Sequence, residues 1–207
     1  MAKQAEGFLG GFSGKLGPVV GYRWKGLWCV RSRARVVHNP RTEAQQEHRA
    51  MFKAEVQLAG RMRWALNIGL KGPSDALNMT ALNLFVKGNQ QAFSMVDGAF
   101  AVDYPMLRIS SGPVAPVALT AAAVDDDNVL EVHFEKNPLR RPCSAVDNVF
   151  LWIFSEELAQ GYLSNPVYRR SQRAAVALPD AFEGTTLHVY AFAQDAQGRC
   201  SETAYCG

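Results

Sequence analysis

Two periodicities divide the chain. From about Met106 onward, apolar residues recur at every second position in short runs. Before that point the pattern is a strongly alternating pair of strands followed by stretches with helical spacing. Residues 19–37 (VVGYRWKGLWCVRSRARVV) read as a β-hairpin that turns near Lys25-Gly26. Val20, Tyr22, Trp24, Trp28, Val30, Ala34 and Val36 share one parity, and Arg23, Lys25, Arg31, Arg33 and Arg35 share the other. A two-residue loop pairs residues of opposite parity and mixes the faces. A three-residue loop, Lys25-Gly26-Leu27 with Trp24 opposite Trp28, keeps one face aromatic and the other basic. The parity pattern therefore predicts the three-residue loop.

Downstream, Pro40 disfavours helix in the residue before it. Thr42 followed by Gln45 is a capping-box signature, so a helix is expected from about Glu43. His48, Phe52, Glu55, Ala59, Met62 and Leu66 recur at alternating spacings of four and three, a mostly apolar stripe that ends before Gly69 or Gly72-Pro73. A shorter helix is expected from Thr80 to about Gln91, with Leu82, Phe85 and Val86 inward. Strands are then expected at 106–110, 117–124, 128–136, 147–155, 161–170, 173–178, 186–194 and 199–206. Turn signals separate them at Ser111-Gly112-Pro113, Asp125 to Asn128, Lys136-Asn137-Pro138, Asn165-Pro166, Pro179-Asp180 and Ala196-Gln197-Gly198. About seven short, regularly spaced strands argue for a β-sandwich, with Trp152 of NVFLWIF as a core aromatic. The expected fold is α+β: an N-terminal β-hairpin and two helices, followed by an immunoglobulin-like antiparallel β-sandwich. The expected division is a Gly-rich arm, basic hairpin and helical region over 1–105 and the sandwich over 106–207.

Composition narrows the class. Of 207 residues, 48% are hydrophobic and 20% charged, which excludes a disordered chain, a collagen-like chain and a small disulfide scaffold. No run of 18 apolar residues is present, so no transmembrane helix is expected. The opening MAKQAEGFLGGFSG has no apolar core of a secretory signal, and the expected location is the cytoplasm of the producing cell, or a virion or other assembly. Gly7, Gly10, Gly11, Gly14, Gly17, Gly21 and Gly26 crowd the first 26 residues, a backbone suited to tight turns and close approach.

Charge changes the picture more. The net charge of +3 conceals a split: residues 1–72 hold 13 Lys or Arg and 4 Asp or Glu, a net +9, whereas residues 73–207 hold 9 and 15, a net −6. Arg23, Lys25, Arg31, Arg33, Arg35 and Arg41 are the candidate interaction residues. On one hairpin edge they would form a basic stripe about 20 Å long. Such a stripe suits a solvated face, an acidic protein partner, or nucleic acid held by phosphate neutralisation with Tyr22, Trp24 and Trp28 available for stacking. Their parity, however, sets those aromatics on the opposite face.

No catalytic, cofactor or metal site emerges. GFSGKLG lacks the spacing of a phosphate-binding loop: Leu9 stands where the first Gly is needed, and Leu16 where a hydroxyl would reach magnesium. Cys29, Cys143, Cys200 and Cys206 show no zinc-ligand spacing and are expected to be reduced, buried or half-buried. His38, His48, His133 and His188 do not pair at metal-site spacing, and His48 is expected in the core or at its rim. Asp125, Asp126 and Asp127 lack the calcium-loop pattern and read as an acidic turn. No GxSxG is present, and Glu156-Glu157 have no identifiable partner.

The motifs GFSGKLG, VVGYRWKG, VRSR and NPRTEAQQ, with Arg49 and Phe52, resemble a family of uncharacterised proteins of about 200 residues from Bacteroidales, known as a domain of unknown function. The resemblance is dense over residues 7–52, looser at LNLFVKGN and LRISSG, and implies no activity. NPRT…Q…R…F is also similar to segments of phage and prophage structural proteins. LPDAFEGTTLHVYAFAQDAQGRCSET resembles the last strands of a fibronectin type III or similar immunoglobulin-like module, except that Leu187 and His188 stand where a corner tyrosine is expected. Together these features point to a non-enzymatic structural, assembly or protein-interaction protein, with self-association or an assembly partner, encoding by a phage or mobile element, and no cofactor. Nucleic-acid binding through the basic hairpin is the alternative, and a surface carbohydrate or adhesion module a third.

Overall fold

The computed structural model describes residues 3–4, 10–36, 39–96, 99–125, 127–135 and 143–207. Gly7, His38, Asp126 and the expected Lys136-Asn137-Pro138 turn lie outside the described residues. The protein is α+β, and its contacts divide it into two compact units, 1–46 and 47–207. The division falls within a helix near residue 46, and the remaining helices belong to the same unit as the sandwich.

The first unit is an antiparallel sheet of β1 (Lys3–Gln4), β2 (Phe12–Leu16), β3 (Val19–Trp24) and β4 (Leu27–Ser32), in that order. Its central hairpin turns in two residues, Lys25 and Gly26, and Trp24 lies opposite Leu27. The expected pairing of Trp24 with Trp28 is therefore corrected. The reason lies in the turn: Lys25 has φ 43° and Gly26 φ 89°, the positive pair of a type I′ turn, whose twist matches that of the strands it joins. Parity fixes a register when one face is buried. Among the described residues both faces of this sheet carry exposed side chains, so turn chemistry decided instead.

The second unit begins in α1 (Glu43–Arg61), which straddles the division and starts where the capping box places it. The apolar stripe continues past a break at Met62 into α2 (Arg63–Gly69), with Leu58, Ala59, Met62, Ala65 and Leu66 buried. The N-terminal part of the stripe is not covered: His48 and Phe52 are exposed. A short helix that the sequence pattern does not predict, α3 (Lys71–Ala76), follows; its Pro73 sits in the first turn, where a missing N–H costs little. α4 (Ala81–Asn89) is capped by Thr80, whose hydroxyl accepts from the Asn83 N–H at 3.1 Å. An unpredicted hairpin, β5 (Phe93–Val96) and β6 (Ala99–Val102), comes next. The expected strand at 106–110 is not one: Tyr104–Met106 form a 3-10 turn and residues 107–110 run as irregular backbone.

The remaining strands build the sandwich. β7 (Leu119–Val124), β8 (Val129–Phe134) and, later in the chain, a strand at Arg173–Ala177 form a three-stranded sheet. Opposite it, β9 (Asn148–Ser155) pairs with β10 (Gln160–Leu163) and with β11 (Val167–Tyr168). Numbering the Arg173–Ala177 strand β12, the second sheet is completed by β13 (Leu187–Gln194), paired along its whole length with β9, and by β14 (Ala204–Cys206). Successive side chains of a strand point to opposite faces. Val149, Leu151 and Ile153 of β9 and Val189, Ala191 and Ala193 of β13 therefore face Leu130, Val132, Phe134 and Val176 across the sandwich. Trp152, Phe154, Tyr190 and Phe192 point the other way and pack with Leu58, Met62, Leu66 and Phe85 of the helices. The unit thus has three layers, and Trp152 fills the helix–sheet core rather than the space between the sheets. Gly69 permits the close approach of α2 to the segment at 109–111: a Cβ there would lie 2.5 Å from the Ile109 carbonyl oxygen.

Candidate interaction surface

Residues directly opposite in an antiparallel pair share a face. The register therefore sorts the N-terminal sheet. One face carries Val20, Tyr22 and Trp24 opposite Arg31, Cys29 and Leu27, with Lys15 of β2 opposite Val20. The other carries Val19, Gly21 and Arg23 opposite Ser32, Val30 and Trp28, with Leu16 opposite Val19. Each face is thus both basic and apolar.

The second face has local packing of its own. The Trp28 ring lies against Gly11, where a Cβ would come within 2.0 Å of the ring, and the Phe12 ring lies over Gly21. Arg23 sits 5.7 Å from the centre of the Trp28 ring, in cation–π range. Large apolar side chains nonetheless reach solvent: Val30 is 60% exposed, Leu27 56% and Trp24 39%.

The six candidate cations are all exposed, but they do not form one stripe. Arg23 and Arg31 lie on opposite faces, and Lys25 is in the turn. Arg33 prolongs the ladder by one bond, its N–H donating to the Pro18 carbonyl at 2.7 Å. Arg35 lies in the bend beyond, and Arg41 precedes α1, its carbonyl accepting from the Gln46 side chain. The charge split persists, reduced, at the division between the units: residues 1–46 hold 8 Lys or Arg and 2 Asp or Glu, a net +6, while residues 47–207 hold 14 and 17, a net −3.

The second unit holds a titratable cluster that the sequence does not reveal. Tyr104 stacks on His188 with ring centres 3.9 Å apart, and the His188 Nδ1 lies 2.8 Å from the Tyr205 hydroxyl. The Tyr190 hydroxyl donates to the Tyr104 carbonyl. Burial lowers the pKa of His188 below its ordinary 6.5, against the opposing pull of Glu156 and Glu157. Burial also pushes the Tyr104 hydroxyl up to about 12. These residues come from three distant segments, and no spacing in the sequence announces them. Glu157 has partners after all: its own backbone N–H, the Thr186 hydroxyl and N–H, and the Ser155 hydroxyl pull its carboxyl down to about 2.

Cys200 is buried and Cys29, Cys143 and Cys206 half-buried. Burial raises the Cys200 thiol to about 11. The Asp125 carboxylate accepts from the N–H groups of Asp127 and Val129, which makes the acidic segment a side-chain-closed turn. His133 is exposed beside Glu131, at 3.7 Å. Among the described residues no group of three His, Cys, Asp or Glu is placed to hold a metal ion, and no helix is long and apolar enough to cross a membrane.

The model of a family of unknown function, DUF6266, matches residues 11–207. No curated protein matches the chain.

Proposed function

Because the chain belongs to DUF6266, a family of unknown function, its activity must be argued from its own residues, and we propose that it is a non-enzymatic assembly protein whose N-terminal sheet is the docking element. The observation that carries this reading is the exposure of Leu16, Tyr22, Trp24, Leu27, Trp28 and Val30 on one small sheet with a net positive surround. A sheet with both faces wet gains little from burial, and exposed apolar residues on this scale mark contact surfaces. Phe52, the last residue of the phage-like NPRT…Q…R…F pattern, is 52% exposed as well, which supports assembly of repeated copies, as in a phage or mobile-element particle. Opposite net charges of the two units favour contact between unlike surfaces of successive copies.

Size-exclusion chromatography with light scattering, at low and high salt, tests this. The expected result is a species larger than the monomer at low salt, smaller at high salt, and reduced to monomer by W24S/W28S. A strict monomer at every concentration and salt, with no co-purifying protein, overturns it.

One observation favours a second reading. The two-residue turn places Arg31 and Lys15 on the same face as Tyr22 and Trp24, the combination that single-stranded nucleic acid uses for phosphate contact and base stacking. Labelled DNA and RNA at low salt distinguish it: R31A/R33A/R35A should abolish binding while leaving the fold intact, and no shift of either probe eliminates the reading.

A further inference from the structure

We propose that the second unit carries a binding site for a small hydroxylated organic anion, a phosphate or carboxylate, in the cavity beside the C-terminal end of α4. The cavity has a volume of about 410 Å³, within the usual range for small-molecule sites. Its walls are three chain segments, 87–92, 105–108 and 203–205. Two of its lining residues are cations, Lys87 and Arg108, and none is acidic. That is contrary to the unit as a whole, in which acidic residues outnumber basic ones 17 to 14. Lys87 also suits the last turn of a helix, but Arg108 lies on irregular backbone where no helix dipole explains it. Among the described residues, neither cation has an ion-pair partner, and the Gln90 and Gln91 side-chain amides, which also line the cavity, make no hydrogen bond.

The walls are fixed to one another by buried polar bonds. The Asn89 side-chain amide donates to the Phe85 and Arg108 carbonyls at 2.9 and 3.1 Å, and its oxygen accepts from the Arg108 N–H at 2.7 Å. The Thr203 hydroxyl accepts from the N–H groups of Ile109 and Ser110, both at 2.9 Å. Arg108 is thereby held to the end of α4, and its segment to the last strand, before any ligand arrives. Such preorganisation reduces the ordering cost of binding. Two cations beside two free amides fit a ligand with one anionic group and several hydroxyls: the cations take the charge, and the amides donate to or accept from hydroxyls.

The experiment is a titration of the full chain with glucose 6-phosphate and with glucuronate, followed by backbone amide NMR, with glucose as the uncharged control. The expected result is a saturable shift of amides at 87–92 and 106–108 with one or both anions and none with glucose. K87Q/R108Q, with both substitutions at exposed positions, should weaken binding at least about tenfold and leave the amide spectrum elsewhere unchanged. R31A/R33A/R35A should leave it intact, which separates this site from the basic N-terminal sheet and from the assembly reading. Absence of shifts at 87–92 and 106–108 up to about 10 mM of both anions, shifts confined to residues 12–33, or unchanged affinity in K87Q/R108Q overturns the proposal.

Discussion

The β9–β13 pair and the β3–β4 hairpin are both rich in aromatic and β-branched residues, yet they meet opposite fates. In β9 and β13 both faces are covered, one by the three-stranded sheet and one by the helices, and Trp152 is 1% exposed. In β3 and β4 both faces bear exposed side chains, and Trp24 and Trp28 reach solvent. The difference lies in what surrounds each pair. The second unit has three layers of its own, so its aromatics stabilise it from within. The first has, among its described residues, a single sheet, so many of its aromatic and arginine side chains reach solvent. A strand's composition sets its propensity to pair, but the neighbouring layers determine whether its side chains form core or contact surface.

That contrast is most severely tested inside the covered unit. Arg169 and Asp147 lie 3.6 Å apart, both 3% exposed, with the guanidinium donating to the Ala115 and Pro116 carbonyls. Removing one partner of a buried pair leaves an uncompensated charge, so Asp147→Ala should cost about 3–5 kcal/mol in urea unfolding of the second unit. A loss below about 1 kcal/mol, the range of an exposed pair, would mean that this core is wetter than its burial implies.

A smaller effect should separate the units. At Gly21 a methyl group would lie 2.3 Å from the Phe12 carbonyl oxygen. Gly21→Ala should therefore destabilise the N-terminal sheet by about 1–3 kcal/mol through overpacking. Hydrogen exchange should quicken over residues 12–32 and stay unchanged over 148–155 and 187–194. Faster exchange in both regions would show that the two are one cooperative unit.

The smallest effect concerns the turn. Lys25 has φ 43°, a left-handed conformation that Asn tolerates better than Lys. Lys25→Asn should stabilise the hairpin by on the order of 0.5 kcal/mol, seen as slower exchange of the amides cross-bonded between β3 and β4. No change, or faster exchange, would favour a three-residue loop and return the aromatics to a face of their own.

Much of the second unit was legible. The Thr42-x-x-Gln45 spacing marked the start of α1 and the helical pattern from Thr80 that of α4, and β7 to β9, β12 and β13 fall within the expected strands. The third layer was also written in the chain, though less plainly. NVFLWIF and VYAFA are nearly continuous apolar runs rather than alternating ones, the mark of strands covered on both sides. The alternating reading of this region therefore passed over the demand for helices on the outer face. The hairpin register was misread for the converse reason: its clean alternation implied one buried face, and the Lys-Gly turn acted on a sheet whose two faces both carry exposed side chains. Lys87 and Arg108 were not legible as a pair, because 21 positions separate them and the bonds of Asn89 and Thr203 that bring their segments together exist only in the folded chain.

The sequence by itself determined the α+β class, the starts of α1 and α4, most strands of the sandwich and the excess of positive charge near the N-terminus. These depend on local propensity, short-range periodicity and charge counts, which a linear pattern contains. Only the tertiary structure decided which face of each strand is core, which register the hairpin adopts, and which cations share a cavity. Those properties depend on what packs against each element, and residues distant along the chain supply that packing.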